Sequence, residues 1–204
     1  MNLKKGLFER KPEPFRIQHH EDRASILLST QLVGMLPDQH RPIVIVCIGT
    51  DRSTGDSLGP LIGTFLEEKK SFSFPIYGTL DEPVHAVNLE EKIEEINHTF
   101  NNPFIIGIDA CLGRLKSVGS IHMDTGPVKP GAGVNKELPE VGNMHITGIV
   151  NVSGFMEFFV LQNTRLNIVM KMAKIISEAI IYSSHAYQRK YSLINLEREQ
   201  KHIP

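Results

Sequence analysis

The sequence predicts an α/β domain, a three-layer α/β/α sandwich built on a mostly parallel sheet. Residues 43–48 and 104–108 are apolar and largely β-branched, the pattern of strands buried on both faces. Amphipathic helical stretches alternate with them, as the crossovers of a parallel sheet require. A chain of 204 residues with 41% hydrophobic content is long enough for one such core. It divides into a leader and packed helix (1–40), an α/β unit (41–184) and a polar tail (185–204).

In chain order, Ala24, Leu27, Leu28, Leu32, Met35 and Leu36 recur at helical spacing and predict a helix that Arg41-Pro42 stops. Residues 43–48 form the first strand. The polar turn 49–59 follows, and Pro60 suits the first turn of a helix running through Leu61, Ile62, Phe65 and Leu66 to Lys70. Residues 75–80 are a weaker strand. Asn88-Leu89-Glu90-Glu91 has the form of a cap, with Leu89, Ile93 and Ile96 as the buried stripe of the next helix. Strands are predicted at 104–108 and 119–123. Residues 126–142, rich in glycine and proline, form a long loop expected to border the site. The run Phe158, Phe159, Val160 and Leu161 fits a buried strand or the start of a helix equally well, and we read 155–166 as a strand. Val169, Met172, Ala173, Ile176, Ala179 and Ile180 predict a final amphipathic helix to about Ser183.

Composition narrows the function. Lys plus Arg number 22 against 23 for Asp plus Glu, a formal charge of −1, which gives a nucleic acid no basic surface to bind. Cys47 and Cys111 fall within or just after core strands, without the paired spacing of an oxidised scaffold, so a reducing, cytoplasmic setting is expected. No stretch approaches the ~20 apolar residues of a membrane span.

The chemistry-bearing residues fall in three clusters: Thr54-Gly55-Asp56-Ser57-Leu58-Gly59-Pro60, Gly107-Ile108-Asp109-Ala110 and His145-Ile146-Thr147-Gly148. The first two follow strands, and open α/β sheets bind ligands at the carboxyl ends of their strands. Taken singly, Asp56 has the bland reading of a helix cap, Asp109 of a turn residue and His145 of a structural imidazole. Together they offer two carboxylates and an imidazole. Such a set suits a divalent ion such as zinc that polarises a carbonyl and activates water. The carboxylate pair without metal can also share a proton and hydrolyse an amide by general acid/base chemistry. Asp51 and Asp124 are lesser candidates. Cys111 is a poor nucleophile, because the nearby Asp109 raises its pKa. The turn 49–59 lacks the Gly-Lys-Ser/Thr ending of a phosphate loop.

At these residues the chain resembles the superfamily that joins the hydrogenase maturation peptidases to the spore germination protease. The maturation peptidases are matched by Cys47-Ile48-Gly49-Thr50 with Asp56, by Asp109-Ala110 and by His145-Ile146-Thr147-Gly148-Ile149. Cys47 and Thr50 replace a glycine and an asparagine of their turn, and Asp56 stands where they usually carry glutamate. That resemblance implies a nickel or substitute-metal site at Asp56, Asp109 and His145. The germination protease is matched by Thr54 through Pro60, Asp109-Ala110, Asp124-Thr125-Gly126 and Pro130-Gly131-Ala132-Gly133-Val134, which implies Asp56 and Asp109 as its catalytic aspartates. Over roughly residues 41–180 the chain is most similar to the YyaC-type sporulation proteins, a family described as spore proteases. The fold implied is phosphorylase/hydrolase-like.

The expectation is therefore a sporulation-associated peptidase of the cytoplasm, forespore or spore interior, acting on a peptide or protein with Asp56 and Asp109, alone or with a metal that His145 completes. A homodimer contact is expected near Leu27 and Leu36. Two rivals are a non-catalytic protein that recognises a peptide or metal-bearing partner on the same fold, and a hydrolase of small amides or nucleosides.

Overall fold

The computed structural model describes residues 14–131 and 138–200. Part of the expected leader (1–13), residues 132–137 of the long loop with Ala132-Gly133-Val134 of the quoted motif, and residues 201–204 lie outside the described residues.

Strands β1 (Phe15–Gln18), β2 (Ile43–Cys47), β3 (Ile76–Tyr77), β4 (Phe104–Gly113), β5 (Ser120–Thr125) and β6 (Met144–Val152) form one sheet in the order β1-β5-β6-β4-β2-β3. The four strands β6, β4, β2 and β3 are parallel, and β5 and β1 complete the sheet antiparallel. The helices are α1 (Ala24–Met35), α2 (Leu58–Glu67), α3 (Leu89–Thr99), α4 (Glu157–Gln162) and α5 (Leu166–Gln200).

Alternation along the central strands creates the layers. Ile43, Ile45 and Cys47 of β2 and Ile106 and Ile108 of β4 join a core with α1, α2 and α5. Val44 and Val46 of β2 and Ile105 of β4 face the other way, onto α3 through Leu89 and Ile96 and onto Val128 and Val141 of the long loop. The fold is the α/β sandwich that the apolar runs predict.

Several elements differ from the sequence reading. Residues 155–166 are not a strand: Glu157–Gln162 is a short helix. Its aromatic run suggested burial, but Phe155, Phe158 and Phe159 are 100%, 51% and 52% exposed, so no inward-facing alternation existed to be read. Two strands escaped detection. β1 lies in the stretch taken as leader, and β6 is central yet carries polar residues on one face. Asn88 does precede α3 as expected, but its Oδ1 accepts the His85 N–H at 2.8 Å instead of capping the helix. β4 continues five residues past Ile108, and α5 runs on well beyond Ser183.

Candidate functional site

Asp109 owes its position to a mismatch in strand length. Pairing between β2 and β4 ends at Cys47↔Ile108, whereas pairing between β4 and β6 continues to Gly113. From Asp109 onward β4 has lost its β2 neighbour, and the loop after β2 enters that space with Asp56. The loop is held close. Gly49, at φ 148°, brings its backbone against the Asp56 carbonyl so tightly that a Cβ there would overlap it, and the Thr50 N–H donates to that carbonyl at 3.2 Å. Ser57 is the cap residue of α2, but its Oγ donates back to the Thr54 carbonyl at 2.7 Å and no side chain caps the helix. Asp56 is therefore not the cap that its sequence position allowed.

The third strand supplies the rest. In the β4/β6 register Asp109 stands opposite Thr147 and Gly107 opposite His145. In the β5/β6 register His122 stands opposite Thr147 and Asp124 opposite His145. Two polar rows thus cross the sheet face that Val128 and Val141 cover. His145 Nδ1 lies 2.9 Å from the Gly126 carbonyl. A carbonyl only accepts, so Nδ1 is the donor, and in the neutral ring Nε2 is the free acceptor.

Asp56, Asp109 and His145 all line one cavity of about 470 Å³, together with Cys111 and Thr147. Pro127, Val128, Lys129 and Gly131 of the long loop form one wall, as expected of that loop. The opposite wall is α4, through Glu157, Phe158 and Leu161, none of which the sequence singled out as site residues. This helix is fastened to the Asp56 loop by the Gly55 N–H, which donates to the Leu161 carbonyl at 2.8 Å. Asn151, near the end of β6, holds it too, donating through Nδ2 to the Val160 carbonyl at 3.1 Å.

Residues 16–179 match the family described as Protein of unknown function (DUF1256). The chain belongs to that family. It is 52% identical over 203 residues to YyaC of Bacillus subtilis (strain 168), described as an uncharacterized protein, covering 97% of this chain and 98% of the relative. A crystal structure of the NiFe hydrogenase maturation protease HycI from Thermococcus kodakarensis KOD1 aligns with a TM-score of 0.47 at 15% identity, over 74% of this chain and 98% of that one.

Electrostatics distinguish the two aspartates of this DUF1256 chain. Burial pushes the Asp109 carboxyl up to about 8; the Ala110 N–H, donating to its Oδ1 at 2.8 Å, opposes the rise, and the charge of Asp56 adds to it. Burial also raises Asp56, and the Ser53 hydroxyl moderates that rise. Near neutrality Asp109 is thus a carboxylic acid within the field of a second carboxyl group. Cys111 rises to about 11 through burial, with the Asp109 charge adding to it and Thr147 opposing, so it stays a thiol and is no nucleophile.

The donor set was expected to hold zinc or nickel. Among the described residues, however, no three His, Cys, Asp or Glu side chains are grouped so as to hold a metal ion. His145 sits two residues before the residue that faces Asp109, on the same face of the sheet. The three residues share a cavity without forming a cage.

Proposed function

We propose that the protein is a peptidase whose cavity hydrolyses a peptide bond with an unequal aspartate pair, Asp109 protonated and Asp56 ionised. The observation that carries this reading is the asymmetry itself: two carboxyl groups in one cavity, one of them held as an acid to about pH 8. Asp56 takes a proton from water as the water oxygen attacks the carbonyl carbon. Asp109 gives its proton to the carbonyl oxygen. When the tetrahedral intermediate collapses, the proton on Asp56 passes to the departing nitrogen and one hydroxyl proton returns to Asp109, so both groups end as they began. Hydrogen bonding from Nδ1 to Gly126 orients His145, leaving Nε2 to accept from a bound group at the cavity wall. The mechanism uses the two carboxyl groups alone, and no step passes through a metal ion.

The motif resemblance at Thr54 through Pro60 and at Asp109-Ala110 supports peptide hydrolysis, and likeness to the YyaC-type proteins supports a role in sporulation. The test is incubation of the purified protein with a denatured protein pool, read by mass spectrometry. Cleavage by the native chain and loss of about 10²–10⁴-fold in rate for Asp109→Asn and Asp56→Asn is expected, the share general acid/base groups supply. Unaltered cleavage by Asp109→Asn would remove the reading.

One observation favours a second reading, recognition of a peptide without cleavage: the aromatic side chains left exposed on α4 at the cavity. Binding without turnover by the native chain would establish it.

A further inference from the structure

Helix α4 presents an unusual surface. Phe155, Met156, Phe158 and Phe159 are 100%, 65%, 51% and 52% exposed, on or immediately before a helix of six residues. Soluble chains expose single apolar side chains freely, but a cluster of large ones marks a contact surface. Three further observations say which contact. The cluster is continuous with the aspartate cavity, since Phe158 lines it. Its support is rigid: Leu161 and Val160 are pinned through their carbonyls to the Asp56 loop and to Asn151, and Phe158 and Phe159 pack edge to face at 5.9 Å. Met156 opens the helix at φ 62° and ψ 49°, a left-handed conformation that a residue without glycine's freedom adopts at a cost. Such strain collects at ligand-binding sites.

We infer that α4 is the specificity wall of the site, and that it selects polypeptide segments with a large apolar side chain, Phe, Leu, Ile or Met, beside the bond or contact that the cavity holds. Phe158 meets that side chain inside the cavity. Phe159, Met156 and Phe155 extend the apolar surface outward, so the neighbouring side chains of an extended segment are apolar as well. On the opposite wall Lys129 is engaged in an exposed ion pair with Glu140 at 2.7 Å, and Glu157 is the one charged side chain that α4 itself brings to the cavity. The assignment rests on the proposed peptide site but not on its turning over.

Two measurements separate the two claims. In the first, the native chain is incubated with a peptide library made from a digested proteome, and cut sites are read by mass spectrometry. Enrichment of large apolar residues on one side of the bond is expected. In the second, Asp109→Asn protein is titrated with two labelled peptides of equal length and charge, one with Phe and Leu at its centre, the other with Ser and Gly. The apolar peptide is expected to bind about tenfold or more tightly, the scale of discrimination an apolar pocket supplies. Phe158→Ala should reduce that ratio to near unity, and Phe158→Leu should keep most of it.

Preferential binding with no cutting by the native chain would end the peptidase reading and leave the apolar wall standing. Cutting without enrichment, together with equal binding of the two peptides, would overturn the wall and leave the peptidase. Equal binding alongside a dimer that Phe158→Asp dissociates in sedimentation would also overturn it, because the cluster would then be covered by a second copy.

Discussion

Asp109 and Thr147 stand opposite one another in adjacent parallel strands, and His122 continues their row onto the antiparallel strand β5. The row crosses the sheet one residue beyond the point where β2 stops pairing, beside the parallel row of His145 and Asp124. This makes Asp109 half-buried and reachable. Protein surrounds its carboxyl closely enough to raise its pKa, while the missing β2 neighbour leaves it an opening to the cavity. The function proposed depends on that combination.

Stability should report the buried acid directly. The Asp109 carboxyl titrates at about 8 in the folded chain against an ordinary 3.8. Between those values the folded chain holds one proton more than the unfolded chain, so the stabilisation is complete below about pH 4 and is lost as pH rises through about 8. The slope is up to about 1.4 kcal/mol per pH unit. Asp109→Asn has no such proton, so its Tm should fall less than that of the native chain between about pH 5 and pH 8. Parallel Tm curves for the two proteins would show that Asp109 is not the buried acid described.

Activity should be bell-shaped in pH. Its alkaline limb should fall through about pH 8 as Asp109 loses its proton, and its acid limb should lie above the usual carboxylate range because burial raises Asp56. Asp56→Asn should remove the acid limb along with most of the rate. A kcat/KM profile flat across the alkaline range would contradict the assignment of Asp109 as the acid.

The parts of this site that the sequence revealed and the parts it hid differ for a physical reason. Residues 43–48 and 104–108 are buried on both faces, so composition alone identified them, and Asp56 and Asp109 followed from their ends. β6 was harder, because a strand that carries a site shows polar residues on one face. Met144, His145, Ile146 and Thr147 do alternate apolar and polar, and that alternation was the available signal. α4 left no such trace, since its aromatic side chains face solvent and its placement depends on long-range bonds from Gly55 and Asn151. The loss of β2 pairing at Ile108 is a property of two strands together, invisible in either alone.

Gly49 offers a test of how the Asp56 loop is placed. At φ 148° a side chain is strained, and a Cβ would press on the Asp56 carbonyl and lie 2.9 Å from Pro60 Cδ. Gly49→Ala should therefore displace Asp56, lower stability by about 1–3 kcal/mol and reduce turnover at least tenfold. Gly34→Ala is the control: it lies in helix α1 with nothing within 4 Å, so it should stabilise by about 0.5–1 kcal/mol and leave turnover alone. Denaturant melts and turnover of both variants decide the matter, and a fully active Gly49→Ala protein would mean that Asp56 is not held through this contact.

Metal dependence is the sharpest division between the two chemistries that the sequence left open. A hydrogen-bonded Nδ1 with a free Nε2 is the state in which histidine usually binds a metal, so His145 by itself is compatible with an ion. Among the described residues, however, no three such donors are grouped around it. Chelation should therefore leave cleavage unchanged, titration with zinc or nickel should show no stoichiometric uptake, and His145→Ala should cost less activity than Asp109→Asn. Stoichiometric zinc or nickel that disappears in an Asp56→Ala/His145→Ala protein would show the cavity closing around an ion, and the carboxylate-only mechanism would have to be abandoned.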